Sequence, residues 1–130
     1  MDHKNQTTAA PSPLIDVKGL SKALAAFAAE RDWDQYHSPK NLAMALTGEV
    51  GELSEIFQWL TEEASKSVAT NPDTATAVRE ELADVTLYLV RLASVLGVDL
   101  NEAVTQKLLK NAAKYPVDKA HGSHKKYDKL

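Results

Sequence analysis

From Pro39 to Leu60 the apolar residues Leu42, Leu46, Val50, Leu53, Phe57 and Leu60 recur every three or four positions. That spacing lines one face of an α-helix; a strand would need a period of two. The period returns in Val78, Leu82, Val85, Leu89, Leu92 and Leu96. It also returns in Leu20, Leu24, Phe27 and Ala28, and in Val104, Leu108 and Tyr115. No Val/Ile-rich alternation and no Asn-Gly turn competes with it. The expected fold is all-α, a four-helix bundle completed by oligomerisation.

The punctuation is consistent with four helices. The first is expected over about Asp16 to Arg31, and the aromatic, polar segment Asp32 to His37 breaks its period as a loop. Ser38-Pro39 supplies an N-cap followed by Pro at the first helical position, so a second helix should run to Leu60 or a little beyond. Small polar residues from Ser65 to Pro72 read as a loop. Asp73 or Thr74 can cap a third helix ending at Leu96, with Gly97 as its stop. Asp99 and Glu102 form a capping-box-like start for the fourth, which Pro116 ends after Lys114. The expected organisation is a disordered leader over 1–15, one helical domain over 16–116 and a polar, basic tail over 117–130. A chain of 130 residues suits one such domain.

Composition closes several routes. No cysteine is present, which excludes disulfides, thiolate catalysis and Cys-ligated zinc. The net charge is −3, so no basic field suggests nucleic-acid binding. His3, His37, His121 and His124 have no metal-motif partner at helical spacing. Residues 1–13 lack the apolar region of a signal peptide, and no apolar run approaches the ~20 residues that span a bilayer. The expectation is a soluble, cytoplasmic protein with no membrane partner.

The chemistry lies where the helical wheel carries acids. Glu49 falls inside the apolar stripe of the second helix, between the columns of Leu46 and Leu53, and Glu52 falls at its edge. Glu55 lies further round, towards solvent. On the third helix Glu81, Asp84 and Tyr88 follow one edge of the stripe. Each helix thus offers two acids three residues apart, close enough to be neighbours. If the edges face each other, four carboxyl groups converge. Their pKa values must then rise, or cations must bind. Oxygen-only ligands suit Mg²⁺, Mn²⁺ or Ca²⁺, and the absence of Glu-x-x-His pairs argues against a di-iron centre. Solvated Glu-x-x-Glu pairs are common without any ion, but a Glu on a core face needs a reason.

Other residues carry weaker signals. Asn111 lies within the stripe of the fourth helix, and Lys107 and Lys114 flank it. They can meet phosphate oxygens or simply cover the core rim. Ala83, Leu87 and Val90 give the third helix a second apolar strip, which a partner chain or a central position would cover. Trp33, Tyr36 and His37 share a loop, and Trp59 lies near Glu52 on the wheel. Such aromatics can stack on a base or pack a core.

The segments Gly48-Glu49-Val50-Gly51-Glu52-Leu53-Ser54-Glu55 and Glu80-Glu81-Leu82-Ala83-Asp84-Val85 together resemble the MazG-like all-α nucleoside triphosphate pyrophosphohydrolases. Phe27 to Trp33, Phe57-Gln58-Trp59, Asn111 to Pro116 and Lys125-Lys126-Tyr127 make the chain most similar to the dCTP pyrophosphatases among them. The resemblance covers nearly everything after Gly19. It implies dimers or tetramers that cleave a nucleoside triphosphate between the α- and β-phosphates, with Mg²⁺ or substitute Mn²⁺. By motif position it makes Glu49, Glu52, Glu81 and Asp84 the metal ligands. It makes Trp33, Asp34, Gln35, Tyr36, His37, Trp59, Tyr88, Asn111 and Lys114 the substrate contacts. Glu49 or Glu55 would help deprotonate the attacking water.

Two departures stand out. Gly48 occupies a position where many relatives carry a second Glu, and Leu24 one where close relatives can carry His. Rival readings keep the chemistry on dUTP, a purine or an oxidised nucleotide, or make the chain a non-catalytic oligomerisation module whose acids pair with Lys107 and Lys114.

Overall fold

A computed structural model describes residues 15–129, apart from the Tyr127 side chain. The expected leader falls outside the described residues, except for Ile15. Among the described residues there is no strand. Six α-helices follow in order: α1 Val17–Glu30, α2 Pro39–Phe57, α3 Glu62–Ser65, α4 Ala75–Leu96, α5 Leu100–Lys114 and α6 Val117–Ala120. The chain divides into a compact unit of Val17–Val98 and a second that contains residues 99–129.

Local chemistry sets the helix ends. Asp32, at φ 54°, takes the left-handed conformation that ends α1. Its amide donates to Ala29 O at 3.1 Å and that of Trp33 to Ala28 O at 2.9 Å, the paired bonds of a Schellman cap. Gln35 Nε2 braces this exit by donating to the Asp32 carbonyl and carboxylate. The expected loop therefore holds a 3₁₀ turn, Asp34–Tyr36. Ser38 caps α2, its hydroxyl accepting from the Asn41 amide at 3.2 Å. Asn41 Nδ2 donates to Tyr36 O at 3.1 Å and so ties the turn to α2.

Three expectations need correction. The helix α2 stops at Phe57 rather than near Leu60, and Thr61 starts the short α3 by accepting from the Ala64 amide. Thr74 occupies the N-cap position of α4, but its hydroxyl donates to Val68 O at 2.7 Å instead of capping. The third correction concerns α4 itself. Leu82, Leu89 and Leu96 of its expected core stripe are exposed, whereas Val78, Val90 and Ala93 are buried. The buried face takes Val78 from the first expected strip, Val90 from the second and Ala93 from neither.

In the unit Val17–Val98, α4 packs against both α1 and α2. The buried apolar residues are Ala28, Leu42, Val68, Val78, Val90 and Ala93, of which Leu42 is the largest fully buried side chain. Gly97, at φ 70°, ends α4 in the left-handed region that a side chain would strain. On α5, Asp99 accepts from the Glu102 amide at 3.1 Å, as the capping pattern requires.

Candidate active site

Packing of α2 on α4 brings their acids together. Glu49, Glu52 and Glu81 each offer a carboxylate oxygen, and those three oxygens lie within 4.8 Å of one another. Glu52 is exposed, while Glu49 and Glu81 are half-buried. Oε2 of Glu49 and Oε2 of Glu81 are sealed from solvent and, with both groups ionised, meet no hydrogen-bond donor among the described residues. Burial raises the Glu81 pKa to about 7, helped by a hydrogen bond with Glu49 and by the charge of Glu52. At Glu49 the largest single influence, a hydrogen bond from Glu81, lowers the pKa. Burial and the charges of Glu52 and Asp84 outweigh it, so the net shift is upward. A proton shared by Glu49 and Glu81 would relieve part of this repulsion, and a hard cation would relieve more. The donor set is all oxygen and anionic, with two oxygens that have no other partner, so it fits a divalent metal.

Asp84 is not one of the three converging oxygens. It lines a cavity of about 170 Å³ together with Leu24, Phe27, Trp33, His37, Leu87, Tyr88 and Arg91. The walls are mostly apolar, and the volume suits one heterocyclic ring rather than a whole nucleotide. Trp33 meets Phe27 edge-on, with centroids 5.7 Å apart, and His37 at a tilt with centroids 6.3 Å apart. The guanidinium of Arg31 covers the Phe27 ring at 3.5 Å from its centroid.

Of the expected substrate contacts, Trp33, His37 and Tyr88 line this cavity. Asp34, Gln35 and Tyr36 sit in the turn beside them but not in the wall. Trp59 stands 88% exposed beyond the end of α2 and is not among the lining residues. Glu55 is exposed on α2 and outside the acidic triad. Asn111 and Lys114 lie on α5, in the other unit.

Sequence reasoning missed Arg91. Its Nε donates to His37 Nδ1 at 3.0 Å, and its NH2 group donates to Asp34 Oδ1 at 2.8 Å. A signal existed: Arg91 is the one charged residue between Asp84 and Asp99, set in an apolar run.

Comparison with known proteins decides the family. The model of the MazG-like family matches residues 45–130. The chain belongs to the MazG-like family. Among curated relatives it is similar to dCTP pyrophosphatase 1 of Rattus norvegicus, 46% identical over 92% of this chain and 70% of that protein. The protein of the same name from Homo sapiens is 44% identical over 99% of this chain and 79% of its own length. A crystal structure of a pyrophosphatase from Archaeoglobus fulgidus superposes with a TM-score of 0.70 at 41% identity, covering 76% of this chain and 91% of that one. This MazG-like chain is thus a homologue of dCTP pyrophosphatases. No described helix is long and apolar enough to cross a membrane.

Proposed function

We propose that this chain is a Mg²⁺-dependent pyrophosphohydrolase that converts a deoxynucleoside triphosphate, dCTP or a modified dCTP, and water to the monophosphate and pyrophosphate. The observation that carries the reading is the pair of sealed, partnerless oxygens on Glu49 and Glu81, within reach of Glu52. Such an arrangement is costly in a protein that binds no cation. The relatives named dCTP pyrophosphatase 1 supply the substrate class.

Glu49, Glu52 and Glu81 would hold the Mg²⁺, with Asp84 as the fourth ligand, and Mn²⁺ could substitute. When bound, the ion neutralises triphosphate charge and makes water a better nucleophile. The protein's own groups do the rest. Glu49 or Glu55 takes the proton of the attacking water. The walls of Trp33, His37 and Tyr88 hold the base and shield it from solvent. Asp84 lies in the cavity wall and also close enough to Glu49 to raise its pKa, so base and phosphates are held in register. Cleansing the cytoplasmic nucleotide pool is the corresponding role.

Self-association completes the reading, as a homodimer or homotetramer. Met44, Val50, Leu82, Leu89 and Leu96 are all exposed on α2 and α4. A single chain leaves these rows in water, whereas a second copy would bury them. The test of function is pyrophosphate release from a panel of canonical and modified nucleoside triphosphates, with Mg²⁺ and with chelator. Mg²⁺-dependent release strongest for dCTP or its modified forms supports the reading. Release strongest for another base keeps the chemistry and replaces the substrate. No release at all removes the enzyme.

A further inference from the structure

Arg91 is nearly buried, with 11% of its side chain exposed, and its two hydrogen bonds reach across 54 and 57 residues of sequence. It lies one turn beyond Tyr88 and two turns beyond Asp84 on α4, and all three line the same cavity. Part of the cavity lining comes from α4, part from Leu24 and Phe27 of α1, and Trp33 and His37 come from the turn after α1. Arg91 is the polar link between α4 and that turn.

Its donors are distinct in effect. The NH2 group holds Asp34, the first residue of the 3₁₀ turn. Nε holds Nδ1 of His37, the residue that follows the turn. A guanidinium only donates, and in a protein it does not lose its proton. The bond to Nδ1 therefore requires a lone pair there, which puts the imidazole hydrogen on Nε2. His37, one of the residues that line the cavity, then carries its one hydrogen-bond donor on Nε2, with Nδ1 already occupied.

We propose that Arg91 is a positioning residue for base recognition: it clamps the 34–37 turn against α4 and fixes His37 as its Nε2–H tautomer. The base edge that meets His37 must then offer an acceptor, a ring nitrogen or carbonyl oxygen, rather than an amino group. This rests on the cavity being the base pocket of a nucleoside triphosphate pyrophosphohydrolase, but the tautomer can be tested without that reading. Lysine cannot replace arginine here, because a single ammonium lacks the fork that reaches both partners at these separations.

The first experiment is a long-range ¹H–¹⁵N correlation spectrum of the labelled full-length chain at pH about 8, where imidazoles are neutral. His37→Gln assigns the resonance among the four histidines. The wild-type spectrum should show His37 with an unprotonated Nδ1 and a protonated Nε2, and Arg91→Lys should show mixed tautomers. A protonated Nδ1 or a tautomer mixture in the wild type overturns the proposal. The second experiment compares steady-state kinetics of the wild type, Arg91→Lys and Arg91→Leu on several nucleoside triphosphates. Loss of a charge-assisted bond should raise KM for the preferred base at least about tenfold. Meanwhile kcat should stay within about threefold and discrimination among bases should narrow. A fall in kcat that is equal for every base, with KM unmoved, overturns it. Arg91→Lys keeps the test decisive if the leucine variant fails to fold. A wild type that hydrolyses nothing would refute the pyrophosphohydrolase reading alone, and the spectrum would still decide the clamp.

Discussion

Glu49 on α2 and Glu81 on α4 each turn one carboxylate oxygen, Oε2, away from water and from every donor among the described residues. Neither helix needs this for its own stability. Ionised together, the two groups repel each other and Glu52 at short range. An arrangement that weakens the metal-free protein while assembling anionic oxygens is what a cation site requires.

Mg²⁺ or Mn²⁺ should therefore raise the melting temperature of the chain, and chelator should abolish the increase. Glu81→Gln removes one of the repelling charges, so it should stabilise the metal-free protein and lose the response to metal. Turnover should fall at least about a hundredfold, since loss of a mere outer-shell partner of a metal ligand already costs about 10- to 100-fold. Differential scanning fluorimetry with and without metal, beside pyrophosphate release, checks both halves. A Gln variant that keeps full turnover would remove Glu81 from the metal set.

The raised pKa values set a direction for pH. An unfolded glutamate titrates near 4.5, and folded Glu81 near 7. The folded chain thus binds the proton more tightly than the unfolded chain does. The stabilisation from that proton is complete below about 4.5 and is lost as pH rises to about 7. In chelator, stability should fall across this window from these groups and then level off. Metal must displace the same proton, so metal affinity should rise over the same interval. Urea titrations in chelator and metal titrations by calorimetry, both at stepped pH, read the two trends. Metal affinity independent of pH would mean that the cation does not meet Glu81.

The exposed row on α4 makes a separate claim. Leu82 is 52% exposed, so Leu82→Lys should leave the fold of the single chain intact. If a second copy covers this row, the charge is buried in the interface and association weakens sharply. Light scattering after size exclusion should find a dimer or tetramer for the wild type and a smaller species for the variant. A wild-type monomer would leave this apolar surface without an explanation from self-association.

Local chemistry was legible in the sequence wherever a few neighbouring residues determine it. Ser38-Pro39, Gly97 and Asp99 each mark a helix end because their side chain or missing side chain acts on the adjacent backbone. Glu49 was legible because an acid interrupts an apolar stripe. Features that depend on which faces meet were not. Two apolar strips on α4 were visible, yet periodicity cannot say that Leu82 and Leu89 stay out while Val90 goes in. Arg91 was missed because its partners, Asp34 and His37, come near only once α1 and α4 pack. Two tryptophans looked equally able to stack; the backbone places Trp33 in the cavity wall and leaves Trp59 in solvent.

That difference between the tryptophans gives the last test. Trp33 already leans on Phe27 edge-on, an arrangement worth about 1 kcal/mol beyond simple burial, so it has a structural role whatever the ligand. Its exposure of 43% nonetheless leaves much of the indole available. If a base stacks there, Trp33→Ala removes a contact worth about 1–3 kcal/mol, which is about 5- to 150-fold in KM. Trp33→Phe keeps an aromatic face and the contact to Phe27, so it should recover most of the loss. A purely structural Trp33 would instead lower the melting temperature and leave KM unchanged in the surviving fraction. The Trp59→Phe variant isolates Trp33 fluorescence, which nucleotide should quench if the base reaches the cavity. Unquenched fluorescence at saturating nucleotide would place the base elsewhere.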